Sequence, residues 1–231
     1  MNTLNIFKAF LEILFPRYCI NCKDALYHKE IHFCTLCRIQ LPKTKLWEMK
    51  YNPLKKLLKG RCELNDAYSL LVFQQTGITQ KLMHEIKYNR NKKLAQYLGM
   101  ILAKHIEFKK ENFDYLIPVP LHKKKLKQRG YNQAEEIAKG FNQLWGTEIL
   151  KNHLVKIKNN VSQTTQSRIH KFKNVEDVYA WNGNSIQKNK SLLLIDDVCT
   201  TGATLESCIL TLNKAGYTNI SIATAAMVFM L

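Results

Sequence analysis

Residues 192–204 read Leu-Leu-Leu-Ile-Asp-Asp-Val-Cys-Thr-Thr-Gly-Ala-Thr. A short apolar run of this kind fits a buried parallel strand. Here it ends in two adjacent carboxylates, Asp196 and Asp197, followed by a hydroxyl-rich turn and a helical pattern from Ala203 to about Leu212. Strand, turn and helix in that order aim backbone N–H groups and the positive end of a helix dipole at one point, where a phosphate binds. Thr200, Thr201 and Thr204 add hydroxyl donors, and Gly202 lets the backbone approach the phosphate closely. Val198, Cys199 and Ala203 complete the loop. Carboxylates at the strand's end are placed to accept hydrogen bonds from sugar hydroxyls, so a sugar phosphate suits the segment better than a bare triphosphate. The chain has no Gly-x-x-x-x-Gly-Lys run here, and a lone glycine falls short of the dinucleotide fingerprint.

Two Cys-x-x-Cys pairs, Cys19 with Cys22 and Cys34 with Cys37, lie eleven residues apart. Paired thiolates on two turns are the usual ligand set of a tetrahedral zinc ion. With all four used, no coordination position stays open, so the zinc is expected to be structural. An iron–sulfur cluster or redox-active dithiols are the other chemistries such a set admits. His28 and His32 lie between the pairs as further possible ligands, and Cys62, Cys199 and Cys208 are read as free thiols. Seven cysteines without a disulfide pattern or a secretion signal point to a reducing cytoplasm.

Basic residues are concentrated in two stretches. Between Asp114 and Glu135 there is no acid, and a strand end is followed by Pro120, Leu121, His122, Lys123, Lys124, Lys125, Lys127 and Arg129. Such a run suits a pyrophosphate or a nucleic-acid backbone. Residues 149–175 are also free of acids and carry Lys151, Lys156, Lys158, Gln163, Arg168, Lys171 and Lys173. Their Gln, Thr and Ser content suggests a loop that closes over bound ligand. The formal charge of +17 and pI near 9.6 attract polyanions, either nucleic acid or the anionic face of a bilayer. A lysine-rich background composition is the alternative source of that charge.

Around these residues the chain divides into a helix over 1–16, a zinc-binding module and connector over 17–60, and an α/β domain over 61–231. Leu4, Phe7, Phe10, Leu11 and Leu14 recur at helical spacing before Pro16. That stripe would either meet an anionic membrane peripherally or pack on the rest of the protein. Strands are expected at 67–73, 115–119, 149–157, 178–181, 191–197 and 219–229, and helices at 78–108, with a basic break around Lys87–Lys93, and at 132–145. Alternating strands and helices imply a mostly parallel sheet flanked by helices, with ligands at the carboxyl ends of its strands.

Asp-Asp-x-x-Thr-Thr-Gly-Ala-Thr after four apolar residues resembles the 5-phosphoribosyl-1-pyrophosphate (PRPP) motif of type I phosphoribosyltransferases. The four-cysteine module, Pro118-Val119-Pro120, Arg129-Gly130-Tyr131-Asn132-Gln133 and the Asp-Asp loop also occur in the order found in the ComF family. This resemblance covers residues 19–229 and implies a type I phosphoribosyltransferase fold with an N-terminal zinc module. It further implies PRPP binding with magnesium, and handling of incoming single-stranded DNA on the cytoplasmic side of the membrane during natural transformation. Residues 196–204 would hold PRPP, with ribose hydroxyls on Asp196 and Asp197 and the 5-phosphate on Thr200–Thr204. The segment from Pro120 to Lys125, with Arg129, would take the pyrophosphate, and Gln163, Arg168 and Lys171 would lie in the hood loop. Family members commonly carry arginine at the positions of Lys156 and Lys171; lysine keeps the charge but loses the bidentate fork. A salvage or biosynthetic phosphoribosyltransferase with an unidentified acceptor is the alternative reading.

Overall fold

The computed structural model describes residues 15–27, 29–46, 49, 51–107, 112–157, 178–183 and 186–229. Most of the N-terminal helix expected over 3–15, together with Gln163, Arg168 and Lys171, lies outside the described residues. In chain order the elements are α1 (Thr35–Ile39), α2 (Pro53–Leu58), β1 (Ala67–Val72), α3 (Ile78–Tyr88), α4 (Lys92–Glu107), β2 (Tyr115–Pro118) and α5 (Lys123–Arg129). They continue with α6 (Gln133–Trp145), β3 (Glu148–Ile149), β4 (Leu154–Lys156), β5 (Tyr179–Trp181), β6 (Leu192–Cys199), α7 (Ala203–Lys214) and β7 (Ile220–Met227). Five strands form a parallel sheet in the order β1-β7-β6-β2-β3, and β4 and β5 pair separately as an antiparallel ribbon.

Strand alternation sorts the core into two layers. Leu193 and Ile195 of β6 join Leu116 and Ala223 beneath α3, α4 and α6. Leu192 and Leu194 join Ile117 and Ile222 beneath α2 and α7, where Leu58, Leu205, Ile209 and Leu212 are buried. Chain order makes β2 lead to β3 on one side and β6 lead to β7 on the other. The reversal opens a crevice at the carboxyl ends of β2 and β6, the usual ligand position in such sheets.

The helix over 78–108 breaks within the basic stretch Lys87–Lys93, as expected, between Tyr88 and Lys92, with Arg90 at φ 54°. Two local expectations differ in detail. The strand expected over 149–157 divides into β3 and β4, because the chain turns at Lys151–His153 with Asn152 at φ 62°. The lysine-rich run after Pro120 is helical (α5): the His122 ring accepts a hydrogen bond from the Lys124 N–H at 3.3 Å, and left-handed Gly130 (φ 78°) ends the helix.

The four-cysteine segment packs onto the α/β domain. Cys19, Phe33 and Cys37 are buried in the same layer as α3 and α4. Lys81 Nζ of α3 donates to both the backbone O and Oδ1 of Asn21 at 3.1 Å. Among the described residues no helix is long and apolar enough to cross a membrane.

Helices α4 and α6 touch through bare backbone. A Cβ on Gly99 would lie 2.0 Å from the Ile137 carbonyl oxygen, and one on Gly140 would lie 1.8 Å from that of Gln96. Neither neighbour is a flexible side-chain end, so a methyl there forces the helices apart. Gly140→Ala should cost about 1–3 kcal/mol, as overpacking does. Thermal denaturation should show a melting temperature several degrees lower; an unchanged value would mean that the helices adjust freely.

Candidate functional site

The crevice is built around the end of β6. Each carboxylate there is held by the next backbone N–H: Asp197 N donates to Asp196 Oδ1 at 2.8 Å, and Val198 N donates to Asp197 Oδ1 at 2.7 Å. Asp197 Oδ2 is buried and accepts no hydrogen bond from the described residues, while Lys87 Nζ at the end of α3 stands 3.3 Å from it. Asp196 acts instead on the opposite face, toward Tyr179, Cys208 and Lys156. Burial first, and then the charge of Asp197, hold the Asp196 carboxyl well above the usual carboxylate range. Burial likewise pushes the Cys199 thiol up to about 12. It lowers Lys156, whose ammonium lies 5.2 Å from the centre of the Tyr179 ring.

Beyond the carboxylates, Cys199 is buried while Thr200, Thr201, Ala203 and Thr204 are exposed. Gly202 adopts the left-handed conformation at φ 76°, and a Cβ on it would meet Leu58 Cδ2 at 3.0 Å. The turn is therefore pressed onto α2 from behind and open in front. Arg61 braces it there, donating to the Thr201 carbonyl at 3.2 Å and pairing with Glu206. Gly202 supplies no side-chain cap, and Ala203 N finds only Thr201 Oγ1 at 3.5 Å. A twelve-residue helix thus presents its first N–H groups at the opening, which is an anion site by geometry.

The second wall comes from the segment after β2. Pro120, Leu121 and His122 are half-buried, and Lys123, Lys124 and Lys125 are exposed on α5. Arg129 donates to Gln133 Oε1 at 2.8 Å. Tyr131 is buried with its hydroxyl on the Ile86 carbonyl, so it anchors α3 and is closed to base stacking. Asn132 caps α6 through Ala134 N at 3.1 Å and donates to the Val119 carbonyl at 3.0 Å. The Arg-Gly-Tyr-Asn-Gln run thus ends one helix, starts the next and pins both to β2.

Two groups were not singled out by sequence reasoning. Lys87 and Arg90 were read only as part of a basic helix break, yet Lys87 faces the buried carboxylate. The Arg90 guanidinium lies over Gly130, where an added Cβ would meet it at 3.2 Å. Lys92 adds a cation 5.5 Å from the centre of the Tyr131 ring. No spacing rule within the α3–α4 segment marks these residues, because their partners come from β6 and from the α5–α6 turn.

The four cysteines converge, with sulfur atoms all within 4.8 Å of one another. Zinc–sulfur bonds of about 2.3 Å bring such a set within reach of one ion. Cys34 Sγ accepts from Cys37 N at 3.5 Å, and Asn21 Nδ2 donates to Cys37 Sγ at 3.3 Å. Burial tends to raise the Cys19 thiol, but the backbone N–H groups around it outweigh that and bring it down to about 6, whereas burial pushes the Cys37 thiol up. His32 packs edge-on to Tyr97 at 5.2 Å and stays outside the cluster; His28 is outside the described residues.

The phosphoribosyl transferase domain family matches residues 87–228. Competence protein F of Haemophilus influenzae is 29% identical over 111 residues, amounting to 46% of this chain and 47% of that protein. The chain therefore spans about half the length of that relative. Among solved structures, purine phosphoribosyltransferase from Pyrococcus horikoshii Ot3 is 19% identical, with 59% of this chain and 76% of that chain covered at TM-score 0.38. Adenine phosphoribosyl transferase from Trypanosoma brucei, in complex with AMP, pyrophosphate and ribose-5-phosphate, is 10% identical, with 78% and 81% covered at TM-score 0.36.

The raised Asp196 carboxyl has a measurable consequence for stability. A folded-state pKa above the unfolded one gives stability that is full below the unfolded range and lost as pH rises through the folded value. Asn keeps the Oδ1 acceptor for the Asp197 N–H without the buried charge. Asp196→Asn should therefore melt higher than the parent near neutral pH, with the gap closing below about pH 4. Calorimetry across that range checks it, and a variant no more stable than the parent at neutral pH would refute the assignment.

Proposed function

From a chain that belongs to the phosphoribosyl transferase domain family, we propose a ComF-type competence protein that binds PRPP and handles single-stranded DNA on the cytoplasmic side of the membrane. The observation that carries the PRPP part is the end of β6. Two carboxylates and the uncapped start of α7 frame one opening, and Asp197 keeps a buried oxygen without a hydrogen-bond partner. In this reading the 5-phosphate lies on the N–H and hydroxyl groups of Thr200–Thr204. Ribose hydroxyls donate to Asp197 Oδ2 and to Asp196, and Lys87 neutralises the carboxylate until sugar arrives. Lys123, Lys124, Lys125 and Arg129 carry positive charge to the pyrophosphate side.

Magnesium, which the family implies, takes oxygen donors, and Asp197 Oδ2, buried without a hydrogen-bond partner at the end of β6, is the carboxylate oxygen that would serve it. Bound together with PRPP, it would offset pyrophosphate charge. Group transfer would break the bond from the anomeric carbon to pyrophosphate and form one to an acceptor that gives up its proton. For such an oxocarbenium-like displacement the chain's own contribution is positioning and charge balance. Zinc fits the closed four-thiolate cluster and has a structural role, since every protein ligand position is filled.

The DNA-handling part is supported by the competence relative, by the +17 charge and by the exposed lysines of α5. A salvage enzyme requires neither that charge nor a metal module.

Isothermal titration should detect PRPP binding in the presence of magnesium. Asp196→Asn combined with Asp197→Asn should weaken it at least tenfold with the circular dichroism spectrum unchanged. Equal affinity in a folded double variant would overturn the ligand assignment. Elemental analysis should find one zinc per chain. Cys34→Ser should lose the metal and expose the module containing Cys19–Cys37 to protease first, because metal binding contributes folding free energy directly. Iron in place of zinc, or no metal in a reduced sample, would overturn this.

A further inference from the structure

On the α2 and α7 side of the sheet, a groove of about 1160 Å³ runs between α2 with its following turn and the residues leading into β1 and β7. It is not part of the crevice at the end of β6. Leu54 and Leu58 anchor α2 in the core, so Lys55, Lys56 and Lys59 face outward along one wall, where Lys55 Nζ also donates to the Asn65 carbonyl. Asn65 and Asn219 meet across the floor, with Nδ2 of the first donating to Oδ1 of the second at 2.6 Å. Tyr51 lines the same groove with 77% of its surface exposed. Glu63 is the one acid among the lining residues.

We propose that this groove binds single-stranded nucleic acid, with the lysines of α2 on successive phosphates and the Tyr51 ring under a base. The inference rests on the DNA-handling part of the proposed function and gives it a location. Charge complementarity selects the occupant. The wall is basic and the floor polar, which disfavours an apolar partner helix. Lys55 and Lys56 lie on the helix and Lys59 caps its end, so the three ammonium groups are strung along the wall and address a line of anions better than one point. The volume exceeds the roughly 300–1,000 Å³ of small-molecule pockets. An amide pair and an exposed aromatic ring are groups that meet base edges and faces, and they give an acidic peptide little to recognise. At its upper end the groove reaches Gly60, next to Arg61, which holds the Thr201 carbonyl. A strand lying in the groove would therefore end beside the sugar-phosphate loop.

Fluorescence anisotropy of a labelled oligothymidylate with the full chain tests this. Lys55→Glu, Lys56→Glu and Lys59→Glu together should weaken binding at least tenfold. They should also flatten the slope of log affinity against log salt by about 2, as expected for three lost phosphate contacts. Melting temperature, metal content and PRPP affinity should stay at parental values. Tyr51→Ala should weaken binding fivefold or more and Tyr51→Phe should restore it, which keeps the test decisive if the triple variant misfolds. Lys123→Glu, Lys124→Glu and Lys125→Glu form the comparison. If only this α5 variant weakens binding, the groove assignment is overturned and DNA handling stands. Polyglutamate competing as well as oligothymidylate would also overturn the groove assignment. If the parental chain binds no oligothymidylate even at low salt, the DNA-handling reading itself fails.

Discussion

A central strand covered on both faces must deliver its last polar residues into a confined space. In β6 four fully buried apolar residues lead directly into two carboxylates. Alternation turns Asp196 toward α7 and the β4–β5 ribbon, and Asp197 toward α3. Both carboxylates are partly withdrawn from water, so each depends on its surroundings: a following backbone N–H, a lysine, or a proton. The raised Asp196 carboxyl and the half-satisfied Asp197 are the cost of placing two carboxylates at the end of a strand covered on both faces. Much of the rest of the domain serves to hold that end still. Arg61 and Leu58 brace the following turn, Asn132 ties the second wall to β2, and the glycines of α4 and α6 let those helices close over the sheet.

What was legible in the sequence follows from which interactions are local. The Asp-Asp-x-x-Thr-Thr-Gly-Ala-Thr loop is a contiguous strand, turn and helix start, so residue type and order specify it, and the structure shows the expected strand end, left-handed glycine and open helix N-terminus. The cysteine pairs were equally readable, since each lies on its own turn and the structure brings the four sulfurs together. Lys87 was not readable as a site residue, because its partner Asp197 is 110 positions away and reaches it only through the sheet. The helical α5 was missed because a lysine run reads as solvated loop, whereas the His122 cap and left-handed Gly130 decide its conformation. Gly99 and Gly140 carry no periodic signal either, since their importance lies in what faces them.

Helix α3 links the two chemistries. At Lys81 it is hydrogen-bonded to Asn21, which also donates to Cys37 Sγ of the metal cluster. At Lys87, about 9 Å further along the axis, it faces Asp197. The same helix carries Ile86, whose carbonyl receives the Tyr131 hydroxyl from the second wall. The position of Lys87 thus depends on contacts to the cysteine module, the sheet and the α5–α6 turn together. A metal that stiffens the module would also stiffen one end of the helix whose Lys87 faces Asp197.

Charge is distributed in keeping with this division of labour. Around the carboxylates the cations are individually committed: Lys87 to Asp197, Arg129 to Gln133, Arg61 to Glu206 and Thr201, and Arg90 over Gly130. Such groups can position a small anionic ligand but have little freedom to follow a long one. Lys123, Lys124 and Lys125 of α5 and Lys56 of α2 are different, lying exposed on short helices, while Lys55 of α2 donates to the Asn65 carbonyl. Long flexible ammonium arms of that kind suit a polyanion whose sequence and exact path vary, whereas guanidinium groups held by neighbours suit one small anion. On the proposed reading, one fold would hold a defined small molecule at the end of its central strand while a polymer lies across its flank. The turn from Gly60 to Arg61 against Thr201 is where the two would meet.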